Sequence, residues 1–317
     1  MVQLPPPLPN YAPYTVQSCG LQLAVGHWPG PGRAAVLVHG LTANHLYWQP
    51  IAQALQAAGY DVHAPDLRGR GGSSKPLGPY GVEVHAQDIE AVLAHIGRDH
   101  TALIGHSLGA TIALEVAATR PQWVHRLVLI DGAGVIPYSA AAKAIQAIKP
   151  ALARLGRVYP DAEAYVAERR AAVPPVWWGD VLERCVRYEI EAAPGGGVRC
   201  NIPRAVIEAE FRAQGGATSA GRALRYWLTA PRYMARRTHK RTHPPYGQVQ
   251  APTLVLRAGK PNLVPGDEIL PSESYQRMLQ TLPNAQGLNL PHANHYSIQL
   301  LPDAARDAAL LDFLATA

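Results

Sequence analysis

The most conspicuous scarcity in this sequence is cysteine. Its 317 residues include three cysteines, Cys19, Cys185 and Cys200, which are odd in number and far apart. They form neither the paired pattern of a disulfide-stapled domain nor the Cys-x-x-Cys spacing of a zinc site. This usage excludes a disulfide-dense secreted scaffold and favours a reducing compartment, for which we predict the cytoplasm.

Long apolar runs are also missing. No stretch reaches the length that a bilayer-spanning helix needs. The first ten residues, MVQLPPPLPN, lack the basic and apolar segments of a signal peptide. We therefore expect no membrane partner and no signal peptide, and we expect the proline-rich residues 1–12 to form an extended arm on the surface.

Charge of either sign is sparse. The net charge is +6, and charged residues make up 16% of the chain against 48% for hydrophobic ones. No basic patch interleaved with aromatic residues stands out, so we expect no nucleic-acid partner. The densest basic run, RYMARRTHKR at 232–241, is typical of a solvated helix face or loop.

What the chain does contain is an alternation of short apolar runs with segments of helical spacing, which predicts parallel βαβ units in a doubly wound sheet. The predicted strands are Tyr14–Ser18, Leu21–Val25, Ala34–Val38, Asp61–Ala64, Thr101–Ile104, Arg126–Ile130, Thr253–Leu256 and Gln286–Leu290. The predicted helices between and after them cover about 48–58, 89–96, 108–120, 272–282 and 302–314.

The alternation of predicted strands and helices stops in the middle of the chain. From about Pro137 to Gly247 the sequence indicates helices and no sheet strand. We therefore predict an α/β core of residues 1–136 and 248–317, with residues 137–247 inserted as a helical cap. The expected cap helices are Ala140–Ile148, Asp161–Ala172, Val181–Ala193 and Arg204–Ala213. Aromatic residues of this insertion could line a pocket or simply pack the cap: Trp177, Trp178, Tyr188, Tyr226, Trp227 and Tyr233.

One stretch combines a strand, a tight turn and a helix around a serine. The apolar run before Gly105 predicts a buried strand, and helical spacing begins at Leu108. Between them, Gly-His-Ser-Leu-Gly at 105–109 has the Gly-x-Ser-x-Gly spacing of a nucleophile elbow. This geometry exposes a serine hydroxyl at the edge of the sheet, so we predict Ser107 as a nucleophile.

A serine hydroxyl needs a base to accept its proton. Two histidines, His292 and His295, follow the last predicted strand. We prefer His295 because it stands further into the loop, and keep His292 as the alternative. Two backbone N–H groups, of Leu41 and Leu108, are expected to form the oxyanion hole.

These pieces together resemble the α/β-hydrolase-fold serine hydrolases of the esterase and lipase kind, which carry a helical cap. The resemblance covers Ala34 to the C-terminus except the cap. It rests on HGLTANHLYW from position 39, DLRGRGGS from 66, GHSLGA from 105, LVLIDGAG from 127, PTLVLRAG from 252 and NHYSI from 294.

The resemblance leaves the acid of the triad open. Many relatives carry an aspartate in the loop after the seventh strand, where this chain has Asn262. Some relatives place it after the sixth strand, where this chain has Asp131, and we prefer that residue. Asp267 and Glu268 remain alternatives. If Asp131 is the acid, its carboxylate should lie about 2.6–3.2 Å from His295 Nδ1.

The resemblance implies a carboxylic-ester hydrolase that acts through an acyl-enzyme, without metal or cofactor, as a monomer or homodimer. The apolar, aromatic-bearing insertion favours a small to medium apolar acyl or aryl ester. The alternatives are lactone, amide or carbon–carbon bond hydrolysis, or a non-catalytic ligand-binding member. Dehalogenase and epoxide hydrolase activities are disfavoured, because such relatives have aspartate where Ser107 stands.

Overall fold

A computed structural model of the chain describes residues 8–97, 101–137, 143, 148–216 and 220–316. The expected N-terminal arm and the expected helix Ala140–Ile148 therefore lie mostly outside the described residues. The strands of the described part are β1 (Tyr14–Ser18), β2 (Leu21–Trp28), β3 (Ala34–Val38), β4 (Asp61–Pro65), β5 (Thr101–His106), β6 (Val124–Ile130), β7 (Val158–Tyr159), β8 (Ile190–Ala192), β9 (Val198–Cys200), β10 (Thr253–Ala258) and β11 (Ala285–Leu290).

Eight of these strands form one sheet in the order β1-β2-β4-β3-β5-β6-β10-β11. The pairs β1–β2 and β2–β4 are antiparallel. The other neighbours, from β4 to β11, are parallel. The carboxyl ends of the parallel strands consequently meet at one edge, and the prediction of a mostly parallel sheet is confirmed.

Helices in the described residues are α1 (Gln49–Ala57), α2 (Val82–Ile96), α3 (Leu108–Thr119), α4 (Ala162–Ala171), α5 (Asp180–Tyr188), α6 (Arg204–Ala213), α7 (Ala220–Thr229), α8 (Pro231–Thr242), α9 (Ser272–Thr281), α10 (Ser297–Leu300) and α11 (Ala304–Ala315). Residues 148–153 are also helical. No helix in this described part is long and apolar enough to cross a bilayer.

Both faces of the sheet are covered by helices. In β3, Val36 and Val38 belong to an apolar cluster that includes residues of α2, α3 and α9. The alternate residues Ala35 and Leu37 belong to a second cluster, which includes residues of α1 and α11. Because side chains alternate across a strand, β3 is buried on both faces, and the doubly wound architecture is confirmed.

One prediction for the middle segment is wrong. Strands β7, β9 and β8 form a three-stranded antiparallel sheet where only helices were expected. The helix expected to continue to Ala193 ends at Tyr188, and β8 follows it. Gly195, Gly196 and Gly197 all have positive φ, which lets the chain turn tightly and pair β8 with β9.

Buried and partly buried polar contacts connect the middle segment to the loop after β4. The Tyr188 hydroxyl donates to Asp66 Oδ2 at 2.8 Å, and Arg70 Nη1 donates to Glu210 Oε1 at 3.0 Å. Glu210 also contacts His85 on α2. Burial raises the pKa of Glu210, but its contacts with His85 and Arg70 outweigh that effect and hold it at about 2. An ionised Glu210 thus connects α6 to the core.

Candidate active site

Ser107 occupies a strained turn between β5 and α3. Its φ is 57° and its ψ is −120°, a conformation that non-glycine residues rarely adopt. Its backbone N–H donates to the Ile130 carbonyl at 3.0 Å. A side chain on Gly109 would collide with the Val38 carbonyl, and one on Gly132 would collide with Ser107 itself. The structure therefore has the tight turn predicted from the Gly-x-Ser-x-Gly spacing.

Asp131 and His295 meet at the carboxyl edge of the sheet. The distance between Asp131 Oδ2 and His295 Nδ1 is 2.7 Å, so the predicted proximity is confirmed. Both side chains are buried. The other carboxylate oxygen of Asp131 accepts the Ala258 N–H at 3.0 Å. Because an ionised carboxylate only accepts, the Asp131 contact assigns the proton to His295 Nδ1 and leaves Nε2 able to accept one.

Two neighbours fix the backbone of His295. Its N–H donates to Asn262 Oδ1 at 3.1 Å, and its carbonyl accepts from His106 Nε2 at 2.9 Å. The His106 and His295 ring centroids are 4.6 Å apart. Burial, followed by the nearby His295, lowers the pKa of His106 well below its usual range, so His106 is a neutral donor. Asn262, which stands at one of the positions that the resemblance offers for the acid, thus holds the backbone of His295.

The alternative acids do not contact the His295 ring. Both oxygens of Asp267 accept backbone N–H groups of its own loop, from Asn262 at 2.7 Å, Leu263 at 2.7 Å and Val264 at 3.1 Å. Glu268 makes no hydrogen bond or ion pair with the residues that the structure describes. Asp267 therefore shapes the loop that presents Asn262.

The alternative histidine lies on the surface. The His292 side chain is 59% exposed, and its Nε2 is 2.7 Å from Asp303 Oδ2. Asp303 also caps α11 by accepting the Arg306 N–H at 3.0 Å. His292 lines neither of the cavities that reach Ser107.

Two cavities meet at Ser107. One, of about 170 Å³, is lined by Ser107, His295 and Leu41 among others. The other, of about 300 Å³, is lined by Ser107, Leu41 and Leu108. Within the described residues, the backbone N–H groups of Leu41 and Leu108 donate no hydrogen bond to protein. They are therefore available to an oxygen at this junction.

A buried histidine fixes the loop that carries Leu41. His39 Nδ1 donates to the Gly40 carbonyl at 2.7 Å, and His39 Nε2 accepts the Leu67 N–H at 3.0 Å. These two bonds require the neutral ring. Burial accordingly lowers the pKa of His39 to about 4.

The middle segment supplies walls to both cavities. Val173, Trp177 and Leu182 line the smaller one. Of the aromatic residues singled out in the sequence, Trp177 lines it, whereas Trp178, Tyr188, Tyr226, Trp227 and Tyr233 line neither cavity. The basic run forms α8, and three of its residues, Arg237, Lys240 and Arg241, line the larger cavity rather than a purely solvated face.

A cluster with metal-ligand chemistry lies outside both cavities. Among the described residues, His27, Asp61 and His63 have ligand atoms within 4.8 Å of one another. Each histidine already contacts Asp61, at 2.7 Å and 3.0 Å, and His63 also contacts the Tyr14 hydroxyl. None of these residues lines a cavity at Ser107.

Sequence reasoning missed several residues of this site. His106 is next to Ser107 in the sequence, so its position alone could have indicated a role beside the nucleophile. Arg169 and Gln299 also line the smaller cavity. No sequence pattern connects them to Ser107, because the packing of the inserted segment decides which of its residues face the cavity.

Comparison with known proteins agrees with this fold. The sequence profile of the alpha/beta hydrolase fold family matches residues 35–299. A protein of Variovorax paradoxus named "Putative carbamate hydrolase RutD" is 30% identical over 294 residues, which is 91% of this chain and 94% of that protein. An uncharacterised protein of Mycobacterium tuberculosis is 37% identical over 106 residues, so the match spans 33% of this chain and about a third (31%) of that relative.

A solved structure shares the same fold. The crystal structure of E-2-(acetamidomethylene)succinate hydrolase superposes with a TM-score of 0.74 and 23% sequence identity, over 96% of this chain and all (100%) of that one. The profile match extends from β3 past His295 and includes the serine turn. The chain belongs to the α/β-hydrolase fold family.

Proposed function

We propose that this protein is a serine hydrolase that cleaves carboxylic esters through Ser107, His295 and Asp131. The observation that carries the proposal is the 2.7 Å contact between His295 Nδ1 and Asp131 Oδ2, made by a histidine that lines the same cavity as Ser107. A carboxylate at this nitrogen orients the ring and stabilises the imidazolium that forms during proton transfer.

In the proposed reaction, Ser107 Oγ attacks the ester carbonyl carbon and its proton passes to His295 Nε2. The tetrahedral oxyanion accepts hydrogen bonds from the backbone N–H groups of Leu41 and Leu108. Collapse of this intermediate breaks the bond to the leaving alcohol, which takes the proton from His295. Water, deprotonated by the same nitrogen, then attacks the acyl carbonyl carbon. Collapse of this second tetrahedral intermediate breaks the bond to Ser107 Oγ, which recovers a proton from His295 as the acid leaves.

The strained backbone supports Ser107 as the nucleophile. A positive φ at a serine is unfavourable unless the surrounding structure enforces it, and such residues concentrate at functional sites. Gly109 and Gly132 allow the close approach that enforces it. The walls of the cavity, which include Trp177 and Leu182, suit a small-molecule substrate with an apolar part.

Hydrolysis of a carbamate or amide is the second candidate function. It is favoured by the Variovorax paradoxus relative, which is named "Putative carbamate hydrolase RutD" and aligns with 91% of this chain. The same nucleophile, base and oxyanion donors would serve, with His295 protonating a leaving amine instead of an alcohol.

A panel of 4-nitrophenyl esters and matched 4-nitroanilides, assayed on wild-type protein and on Ser107→Ala, separates these functions. We expect ester turnover by the wild type and its loss in the folded Ser107→Ala protein. A fluorophosphonate probe should label Ser107, as shown by peptide mapping. A Ser107→Ala protein that keeps most of its kcat would refute the proposal, and faster anilide turnover would favour the second candidate.

A further inference from the structure

The smaller cavity at Ser107 has an unbalanced charge. Among the residues that the structure describes, two arginines, Arg154 and Arg169, line it, and no aspartate or glutamate does. Arg154 is neutralised by a buried ion pair with Glu189, with N–O distances of 2.8 Å and 2.6 Å. Arg169, on α4, has no ion pair or side-chain hydrogen bond with any residue that the structure describes.

The sequence before Ile148 also bears on whether Arg169 has an acidic partner. Residues 138–147, which precede the cavity-lining Ile148, contain neither aspartate nor glutamate. The Nε atom of Arg169 is buried without a partner among the described residues. A guanidinium that is half-buried and unpaired is unfavourable unless a ligand or solvent compensates its charge.

Two further unmet donors line the same cavity. Gln299 is buried, and its Nε2 has no hydrogen-bond partner in the described part of the chain. The Tyr47 hydroxyl likewise makes no hydrogen bond to described residues. Burial raises the pKa of Tyr47 far above its usual range, so it stays a neutral donor. Buried polar atoms without partners are rare in native structures, and two of them in the described residues, Arg169 Nε and Gln299 Nε2, belong to side chains that line this cavity.

We propose that this cavity recognises a carboxylate on the substrate, with Arg169 as the residue that binds it. The inference rests on the proposed hydrolase function and narrows its substrate class. The substrate would be an ester or amide that has an apolar body and a free carboxylate, rather than a wholly apolar ester. A carboxylate only accepts hydrogen bonds, which matches a set of unmet donors, and arginine can bind it through two parallel bonds.

The neighbouring Arg170 provides a matched control. It lies on the same helix, but its side chain is 57% exposed and pairs with Glu183 at 3.2 Å. It stacks on Trp178 and does not line the cavity. Replacement of Arg170 removes the same charge from the same helix without changing the cavity. Comparison of the two variants therefore separates the effect of the arginine's position from the effect of net charge.

The test compares charged esters with neutral analogues. The first pair is 4-nitrophenyl hemiglutarate and 4-nitrophenyl pentanoate, and the second is 4-butyryloxybenzoate and its methyl ester. The pairs place the carboxylate on the acyl and on the alcohol side. We expect Arg169→Gln to lower the charged-to-neutral ratio of kcat/KM in at least one pair by about ten- to a hundredfold. Arg170→Gln should leave both ratios unchanged. Unchanged ratios in Arg169→Gln, or an equal fall in Arg170→Gln, would overturn the proposal.

A binding measurement separates this proposal from the hydrolase function. Glutarate is titrated calorimetrically into Ser107→Ala protein and into the double variant that also carries Arg169→Gln. A tenfold or larger rise in Kd supports carboxylate recognition even if no ester is turned over. Absence of glutarate binding in both proteins, together with unchanged ester ratios, refutes it. Thermal melts check folding, and Arg169→Met replaces Arg169→Gln if the latter unfolds.

Discussion

Two histidines that lie three residues apart in the segment after β11 each contact an aspartate at the same distance, but in different surroundings. His295 Nδ1 is 2.7 Å from Asp131, and His292 Nε2 is 2.7 Å from Asp303. The side chains of the first pair are 5% and 1% exposed, whereas those of the second are 59% and 9% exposed. Contact distance therefore does not distinguish a candidate catalytic pair from a surface contact.

Burial and further contacts make the difference. A surface ion pair is screened by water and contributes about 0–1 kcal/mol. The buried pair lies in a medium of lower effective dielectric, and Asp131 is fixed by a second bond to the Ala258 N–H. His295 is also bounded by Asn262 and His106 and lines the cavity with Ser107. These features support His295 as the base.

Removing each histidine gives the largest expected contrast. His295→Ala removes the proposed proton acceptor, so kcat for a 4-nitrophenyl ester should fall by about four or more orders of magnitude. His292→Ala removes a solvated contact, and its kcat should stay within about twofold of the wild type. Steady-state kinetics on both folded variants measures the difference. A dead His292→Ala enzyme beside an active His295→Ala enzyme would reverse the assignment.

Removing the charge of each aspartate gives the next contrast. Asp131→Asn keeps the shape of the side chain but cannot stabilise an imidazolium, and it should lower kcat by about 10⁴. Asp303→Asn retains an oxygen for the Arg306 N–H and should leave kcat nearly unchanged. Kinetics as a function of pH would check both variants. If Asp131→Asn retained wild-type kcat, His295 would act without a carboxylate partner.

The parallel core was predictable because its signals are local. Runs such as Ala34–Val38 are apolar at every position, which indicates a strand covered on both faces. The sheet of the middle segment was missed because its strands are two or three residues long, too short for periodicity to register. Gly195, Gly196 and Gly197 close a hairpin between two of these short strands, β8 and β9.

The candidate site was predictable only in part, because some of its residues are placed by local signals and others by long-range packing. Strand ends place Ser107, Asp131 and His295 at one edge of the sheet, so chain order identifies them as candidates; their catalytic roles stay predictions. Asn262 was interpreted as a lost acid, whereas it accepts the His295 N–H. Arg169 was not identified, because long-range packing of α4 against the core determines its position.

Replacement of Asp267 is expected to have an effect of intermediate size on stability and activity. Asp267→Asn keeps one acceptor oxygen but places an amide against N–H donors from residues 262–264. It should destabilise the protein by about 1–3 kcal/mol and lower kcat less than tenfold, because it affects Asn262 and not the histidine ring. Denaturant unfolding and kinetics measure the two effects. A loss of kcat as large as that of Asp131→Asn would make Asp267 the acid. Glu268→Gln, which breaks no contact to described residues, is the control.

Burial distinguishes the two histidine–aspartate pairs. Burial of a third histidine, His39, also predicts that the stability of the protein depends on pH. Burial lowers the pKa of His39; Asp66 raises it, Arg70 and His45 lower it, and the result is about 4. In the unfolded chain a histidine has a pKa of about 6.5. Between these values the unfolded state binds more protons than the native state. Stability is therefore lost as the pH falls from about 6.5 towards 4, and it is fully present above that window.

The smallest expected effect is the part of this loss of folding stability at low pH that is due to His39. From pH 7 to pH 5 it should cost roughly 2 kcal/mol, from the linkage relation applied to pKa values of about 6.5 and 4. Urea unfolding of the wild type, His39→Asn and His292→Ala at both pH values measures it. His39→Asn should be less stable at pH 7, because the Leu67 N–H loses its acceptor. Its stability should nevertheless fall less between the two pH values. His292→Ala, which removes a largely exposed histidine instead of a buried one, is the control for the loss of a histidine. Equal slopes in the wild type and His39→Asn would mean that His39 takes up a proton as readily in the native state as in the unfolded chain. The lowered pKa, and the two hydrogen bonds that require a neutral ring, would then be contradicted.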